Sequence, residues 1–329
     1  MSRDQFYPCT RSIAQVGVET PLLVPSFSSR GFPEVASLYR ELRNDLYGVC
    51  LVSAFDVSTQ RINDDLADIA DLIVLDSGVY ETKPIAIAAD GYNPAPSHGP
   101  WDRNAYRDYL RAVGPSANVL AVSFDHYGAI ERQIELASED FTYAPSAASD
   151  FLVKPISSEL LIESCDIAAH AGALSRFRVL GVTERELGNS LLERCRALIA
   201  LRTALAEAGA NTPVHVFGTI TPGAVLSYFF CGADIFDGLN WLRFVYDGAA
   251  LRPISEAALD DGEWEQTDGL RFLRQSRQNL RFLRQLQDAM RSYCASGDLG
   301  KLIDAFPVVA AAARVAAAAG SRFSGVRSV

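Results

Sequence analysis

HVFGTITPGAVLSYFFCGADIFDGLNWLR, from His215 to Arg243, is the stretch on which the fold turns. Val214 to Phe217 is a short apolar run closed by Gly218, and Thr221-Pro222 then opens a helix with Thr221 as its cap and Pro222 in the first turn. Asp234 begins a second short strand, so the unit reads strand, helix, strand. Asp237 falls where that strand gives way to Gly238. A carboxylate there is either a turn or cap residue or a group presented beyond the end of a buried strand.

Upstream the same unit recurs. PLLVPSF (from Pro21), VCLVSAFD (from Val49), DLIVLDSG (from Asp71), NVLAVSFD (from Asn118), DFLVKP (from Asp150) and FRVLGV (from Phe177) are short and near-continuously apolar, the pattern of strands covered on both faces. Helical segments separate them: PEVASLYREL from Pro33, then Arg103 to Val113, Ile130 to Ser138, Ser158 to Ala171 and Ser190 to Ala208. With Val214 to Phe217 and Asp234 to Leu239 the strands number eight. This predicts an α/β chain folded as a (β/α)8 TIM barrel over residues 1–250, with an open doubly wound sheet as the runner-up. No GxGxxG follows the first strand, and polar residues recur where a barrel keeps its chemistry: Asp56, Asp76, Asp125, Lys154, Glu184 and Asp237. Each alone reads equally well as a cap or turn residue, and for Asp56 that reading is kept. The longest loop, Val79 to about Trp101, is rich in Pro and Gly, holds His98, and is a lid candidate.

Composition sets outer limits. The 329 residues are 49% hydrophobic, ample for a large core, and the net charge of −10 excludes coating nucleic acid by bulk electrostatics while leaving room for a local basic patch. No apolar run is long enough to span a membrane, and the first 20 residues lack the order of a signal peptide, so a cytoplasmic protein without membrane contact is expected. Six cysteines at 9, 50, 165, 195, 231 and 294 form no CxxC pair, so reduced thiols and no metal site are expected.

Residues 251–329 read as a C-terminal helical extension. After the acidic DDGEWEQTDG, a long helix carries LRFLRQ twice. At 100° per residue, Phe272, Leu280, Leu283, Leu286, Met290 and Tyr293 share one side, and Arg271, Arg274, Arg277, Arg281, Arg284 and Arg291 the other. That basic stripe is either a solvated face paired to the acidic segment or a phosphate-contacting surface. The Ala-rich end reads as a further helix with a frayed tail.

Two aspartates at one barrel rim suit displacement at an acetal-like carbon, one carboxylate attacking while the other moves protons. Glycosides and N-glycosides both need this. A third, Asp125, can accept two parallel hydrogen bonds from the N–H edge of a purine, or equally bind a sugar hydroxyl.

The order TPLLVPSF, LDSG, SFD, FG before a helix, and GADIFDGLNWLR resembles the tRNA-guanine transglycosylase family from about Thr20 to Arg243. That family comprises queuine- and archaeosine-type tRNA-ribosyltransferases and DNA-acting relatives. The resemblance implies a (β/α)8 pentosyltransferase that exchanges guanine in a nucleic acid, DNA or tRNA, for a 7-deazaguanine through a covalent sugar-enzyme intermediate, without a cofactor. FDGLNWLR is similar to the family's FDCVxPTR and implies Asp237 as nucleophile and Arg243 as its closing arginine. LDSG implies Asp76 as general acid/base and Ser77 as a base contact; SFD implies Asp125 on the guanine edge, with Gly181, Gly218 and Lys154 beside the base.

Val79-Tyr80-Glu81 stands where the family has Gly-Phe-Gln, and Asn240-Trp241-Leu242 replaces the segment before the arginine. The family's CxCxxC-and-His zinc site is absent, since Cys294 is the only cysteine after Cys231 and no histidine follows His215. The arginine stripe is the candidate replacement, and a different nucleic acid or a partner subunit is the alternative; the expected assembly is with a partner subunit or as a homodimer. Two other readings stand beside this one: a non-catalytic binding subunit of a heteromeric enzyme, and a Schiff-base lyase using Lys154. Of the histidines, His126 is placed beside the site, and His170 and His215 are read as structural.

Overall fold

The computed structural model describes residues 8–46, 48–62, 70–82, 101–114, 118–247, 251–262 and 264–324. Eight parallel strands close into a barrel: β1 (Leu22–Phe27), β2 (Val49–Ser53), β3 (Leu72–Asp76), β4 (Val119–Val122), β5 (Ala148–Val153), β6 (Val179–Thr183), β7 (Val214–Phe217) and β8 (Ile235–Gly238). β8 pairs back onto β1 with Asp237 opposite Val24, which completes the ring. The doubly wound alternative is therefore excluded, because an open sheet would leave two unpaired edges. Helices α1 (Val35–Leu42), α2 (Arg103–Ala112), α3 (Ile130–Phe141), α4 (Ser164–Leu174), α5 (Leu191–Glu207) and α6 (Pro222–Phe230) lie in the crossovers.

Strand parity divides the core in two. Leu22, Val24, Leu51, Leu72, Val74, Leu120, Val122, Leu152, Val179, Phe217 and Ile235 form one cluster inside the barrel. Their neighbours Leu23, Phe27, Cys50, Val52, Ile73, Leu75, Val153, Leu180, Val216 and Phe236 join the helices in a larger outer cluster. Both sides of every strand are thus apolar, the physical reason for the uninterrupted hydrophobic runs. Ile13 and Val16, from a small hairpin before β1, plug the lower end of the lumen. Beneath them Arg11 Nη1 contacts Asp234 Oδ1 at 2.5 Å, and Arg202 holds the other Asp234 oxygen.

Several predicted boundaries shift. α4 begins at Ser164 rather than Ser158, since the chain after Pro155 runs irregularly through 156–163 to the rim. Thr221 is the N-cap of α6 and Pro222 its first residue, yet the Thr221 hydroxyl makes no capping hydrogen bond. Ser190 does cap α5, accepting from Glu193 N. The lid candidate begins with a one-turn helix, Val79–Thr82; its residues 83–100, including His98, lie outside the described residues.

The extension holds α7 (Asp268–Ser296), α8 (Leu299–Ala305) and α9 (Val308–Ala319). Leu280, Leu283, Leu286, Met290 and Tyr293 are buried as the helical spacing predicts, while Phe272 is half-buried against Phe32 at 6.5 Å between ring centres. Gln275, Ser276 and Asn279 are buried on that same face, where apolar residues would be expected. Asn279 explains itself: its Nδ2 donates to the carbonyls of Trp241 and Phe244 at 2.6 Å each, and its Oδ1 accepts from Tyr246 N at 2.9 Å. The long helix is thereby fastened to the loop after β8. Among the described residues no helix is long and apolar enough to cross a membrane.

Candidate active site

Strand parity that fills the lumen with Leu and Val changes character at the carboxyl ends. The next inward positions are Ser26 and Ser28 after β1's apolar residues, Asp76 ending β3, Lys154 after β5, Thr183 ending β6, Phe217 ending β7 and Asp237 in β8. They line a cavity of about 340 Å³, together with Tyr80, Glu81, Asp125, Glu184, Arg185, Glu186, Gly218, Asn240 and Arg243. Its size lies at the small end of the range for small-molecule pockets.

Asp237 is held on both oxygens. Ser26 Oγ donates to Oδ2 at 2.8 Å, and Gly218 N donates to Oδ1 at 3.2 Å. Gly218 adopts φ +86°, the left-handed region that glycine enters without a Cβ penalty, and this turn aims its N–H at the carboxylate. His215 Nε2 lies 3.3 Å from the same Oδ1.

Asp76 faces Asp237 from β3, with β2 and β1 between the two strands around the ring. Burial pushes its carboxyl up to about 6, and the charges of Asp125 and Asp237 add to the rise against the opposing hydrogen bonds from the Gly78 and Ser77 backbone. A carboxyl so placed exchanges its proton near neutral pH. Glu81, one turn further, accepts from Ser28 Oγ and is raised to about 8, first by burial and then by the charges of Asp56 and Asp76.

Lys154 lies between acids. Its Nζ is 2.7 Å from Glu186 Oε1 and 3.7 Å from Asp125 Oδ2, and it donates to Thr183 Oγ1 at 3.3 Å. Gln133 pins this strand end by a reciprocal pair with the Lys154 backbone, at 2.7 and 2.9 Å. Asp125 sits three residues beyond β4 on a segment anchored by the contact of His126 Nε2 with buried Asp140 at 2.8 Å. His126 thus faces Asp140 and does not line the cavity.

Asp76, Asp125, Lys154, Gly218, Asp237 and Arg243 are brought together as cavity-lining residues. Ser77 and Gly181 are not among them. Ser77 is buried, its carbonyl accepting from Trp101 Nε1 at 2.9 Å. Gly181 stands below Phe217, and the room of its missing Cβ is taken by that ring and by Asp150. Asp56 serves as a brace, its Oδ2 accepting from Ser29 N at 2.8 Å across to the neighbouring loop. Glu186, Ser26 and Asp150 escaped the sequence reading as site residues, Glu81 figured in it only as a departure from the family, and His215 only as a structural histidine. Parity alone would have found Ser26 and His215, which share the inward phase with Val24 and Phe217.

Of the arginine stripe, Arg271 pairs with Asp268, Arg277 with Asp45, and Arg291 donates to the Glu19 carbonyl. Arg274, Arg281 and Arg284 are exposed. Arg271–Asp268 is the expected pairing with the acidic segment; Asp45 and Glu19 belong to the barrel.

Among the described residues no group of three or more His, Cys, Asp or Glu is arranged to hold a metal ion, and the six cysteines are free. No protein-family model matches the chain, and no curated protein matches it.

Proposed function

We propose that the chain is a base-exchange transglycosylase that replaces guanine in a nucleic acid, DNA or tRNA, with a 7-deazaguanine. The observation that carries this reading is the pairing of Asp237, fixed on both oxygens, with Asp76, a carboxyl titrating near 6 across one cavity. Asp237 attacks C1′ of the nucleotide; the C–N glycosidic bond breaks, its electrons stay on the departing base, and Asp76 supplies the proton. The sugar–Asp237 ester then reacts with the incoming base, whose proton Asp76 removes. Asp125 accepts from the purine edge; Glu186 Oε2 offers a further acceptor and Glu81 Oε2, on a carboxyl raised to about 8, a donor, both atoms being buried without a hydrogen bond in the described chain. Because C1′ must reach the bottom of a rim cavity, the nucleotide enters unstacked, which favours a loop, a single strand or a flipped base. The exposed Arg274, Arg281 and Arg284 give the polymer a basic track.

A Schiff-base lyase finds less support, because Lys154 is engaged by Glu186, Asp125 and Thr183. The test is incubation with radiolabelled guanine or a 7-deazaguanine, offered separately with tRNA and with DNA. Incorporation into one polymer, lost in Asp237→Ala, is the expected result. Incorporation that survives Asp237→Ala overturns the nucleophile, and none into either polymer, with the partner-containing cell extract added, overturns the reaction.

A further inference from the structure

His215 and Asp150 are buried completely, yet neither belongs to the apolar layer that fills the rest of the lumen. Two ionisable groups placed there carry a desolvation cost unless each compensates the other. His215 Nδ1 is 2.7 Å from Asp150 Oδ2, a charge-assisted hydrogen bond, and the opposite ring nitrogen, Nε2, lies 3.3 Å from Asp237 Oδ1, an ion-pair distance without an aligned hydrogen bond. The imidazole therefore lies between two carboxylates, bonded to the one on β5 and within ion-pair distance of the one on β8.

We infer that Asp150 and His215 form a positioning pair behind the nucleophile, an imidazolium anchored on Asp150 that supplies the positive charge facing Asp237. The inference rests on the transglycosylase reading for its chemistry. Its geometry is complete on every side. Asp150 faces the ring from β5 and Asp237 from β8, the residue in register on β6 is Gly181, and Phe217 of the same strand covers the ring, with centroids 3.7 Å apart and planes tilted by 30°. Phe217 also lines the cavity, so it separates the pair from solvent and substrate. Gly181 makes this layer possible, since a Cβ there would lie 2.6 Å from Phe217 Cε2 and 2.9 Å from Asp150 Oδ1.

The charge arithmetic gives the pair its purpose. Asp76, Asp125, Asp150 and Asp237 all face one end of the lumen, and burial first, with the charge of Asp237 adding to it, raises both Asp76 and Asp150. An imidazolium among them offsets this repulsion where attack begins. When Asp237 becomes an ester its charge is lost, while the imidazolium remains balanced by Asp150. When the ester is cleaved by the incoming base, the carboxylate returns opposite a cation already in place, so the same group assists in both directions. Burial opposes protonation of His215, but Asp150 first and Asp237 next overcome it and raise the ring to about 9.

The first measurement is nitrogen NMR on wild-type protein labelled at its four histidines, the His215 signal being the one retained when His98, His126 and His170 are replaced singly by Gln. Expected is a ring with both nitrogens protonated through pH 8; a ring neutral at pH 7 overturns the inference whatever the activity. The second is the pH profile of covalent-adduct formation in His215→Asn. Its acid limb should move upward by at least one pH unit, with the KM for polymer changed less than twofold. A uniform loss at all pH values, as a purely structural role gives, overturns the inference. Absence of exchange by wild type instead overturns the transglycosylase reading, which the NMR result does not address.

Discussion

A methyl group on Gly181 would stand 2.6 Å from Phe217 Cε2, closer than any ordinary carbon contact. The Phe217 ring cannot settle deeper into the lumen, because the His215 ring lies against it at 3.7 Å between centroids, and the open space beside it is the cavity. Gly181→Ala is expected to cost about 1–3 kcal/mol by overpacking and to push the ring into the cavity. Base exchange should fall at least tenfold at a temperature where circular dichroism shows the variant folded. Full activity in that variant would mean that Phe217 does not hold the floor of the site.

Glu81 gives a pH dependence of known sign. Its carboxyl is raised from 4.5 to about 8 in the folded chain, so the stability it contributes is fully present below pH 4.5 and is lost as pH rises through 8. Glu81→Gln, neutral at every pH, should be more stable relative to wild type at pH 9 than at pH 5. A relative gain of roughly 1 kcal/mol corresponds to about 2–4 °C in Tm by the usual domain scaling. A Tm difference that stays constant from pH 5 to 9 would contradict the buried, protonated form.

Lys154 is expected to form no borohydride-trappable adduct with carbonyl compounds, since Glu186 holds its Nζ at 2.7 Å. Lys154→Met leaves Glu186 and Asp125 without their cation, and the variant should bind the base at least tenfold more weakly with the adduct still trapped on Asp237. A mass increment on a Lys154 peptide after borohydride treatment would reverse this assignment.

Asn279 satisfies two carbonyls and one amide of the loop that leads from β8 into the extension. Asn279→Ala should destabilise the chain by about 2–4 kcal/mol, because three buried backbone groups lose their partner together. Asn279→Asp should do no better, since a carboxylate cannot donate to Trp241 O and Phe244 O. Chemical denaturation of the three proteins measures both.

Much of the fold was legible because parallel strands buried on both faces leave a one-dimensional trace. VCLV, LIVL and VLAV are apolar without interruption, and helical segments recur between most of the runs. The order of the barrel follows from that alternation, and with it the rim position of Asp76 and Asp237. Closure by β8 against β1 joins residues more than 200 positions apart, and no local pattern carries it.

The sequence by itself determined the (β/α)8 class, the helical extension and the carboxylates at the strand ends, because each depends on short-range periodicity and on where a strand stops. Only the tertiary structure decided what those residues face. Asp150 in β5 and His215 in β7 are 65 positions apart, yet they meet because β6 between them offers Gly181, whose missing side chain leaves the space. Gly181 reads in the sequence as a backbone contact and serves in the fold as room for Phe217 and Asp150. Such roles depend on which side chains barrel closure brings into one layer, and that is a property of the packed lumen rather than of any single strand.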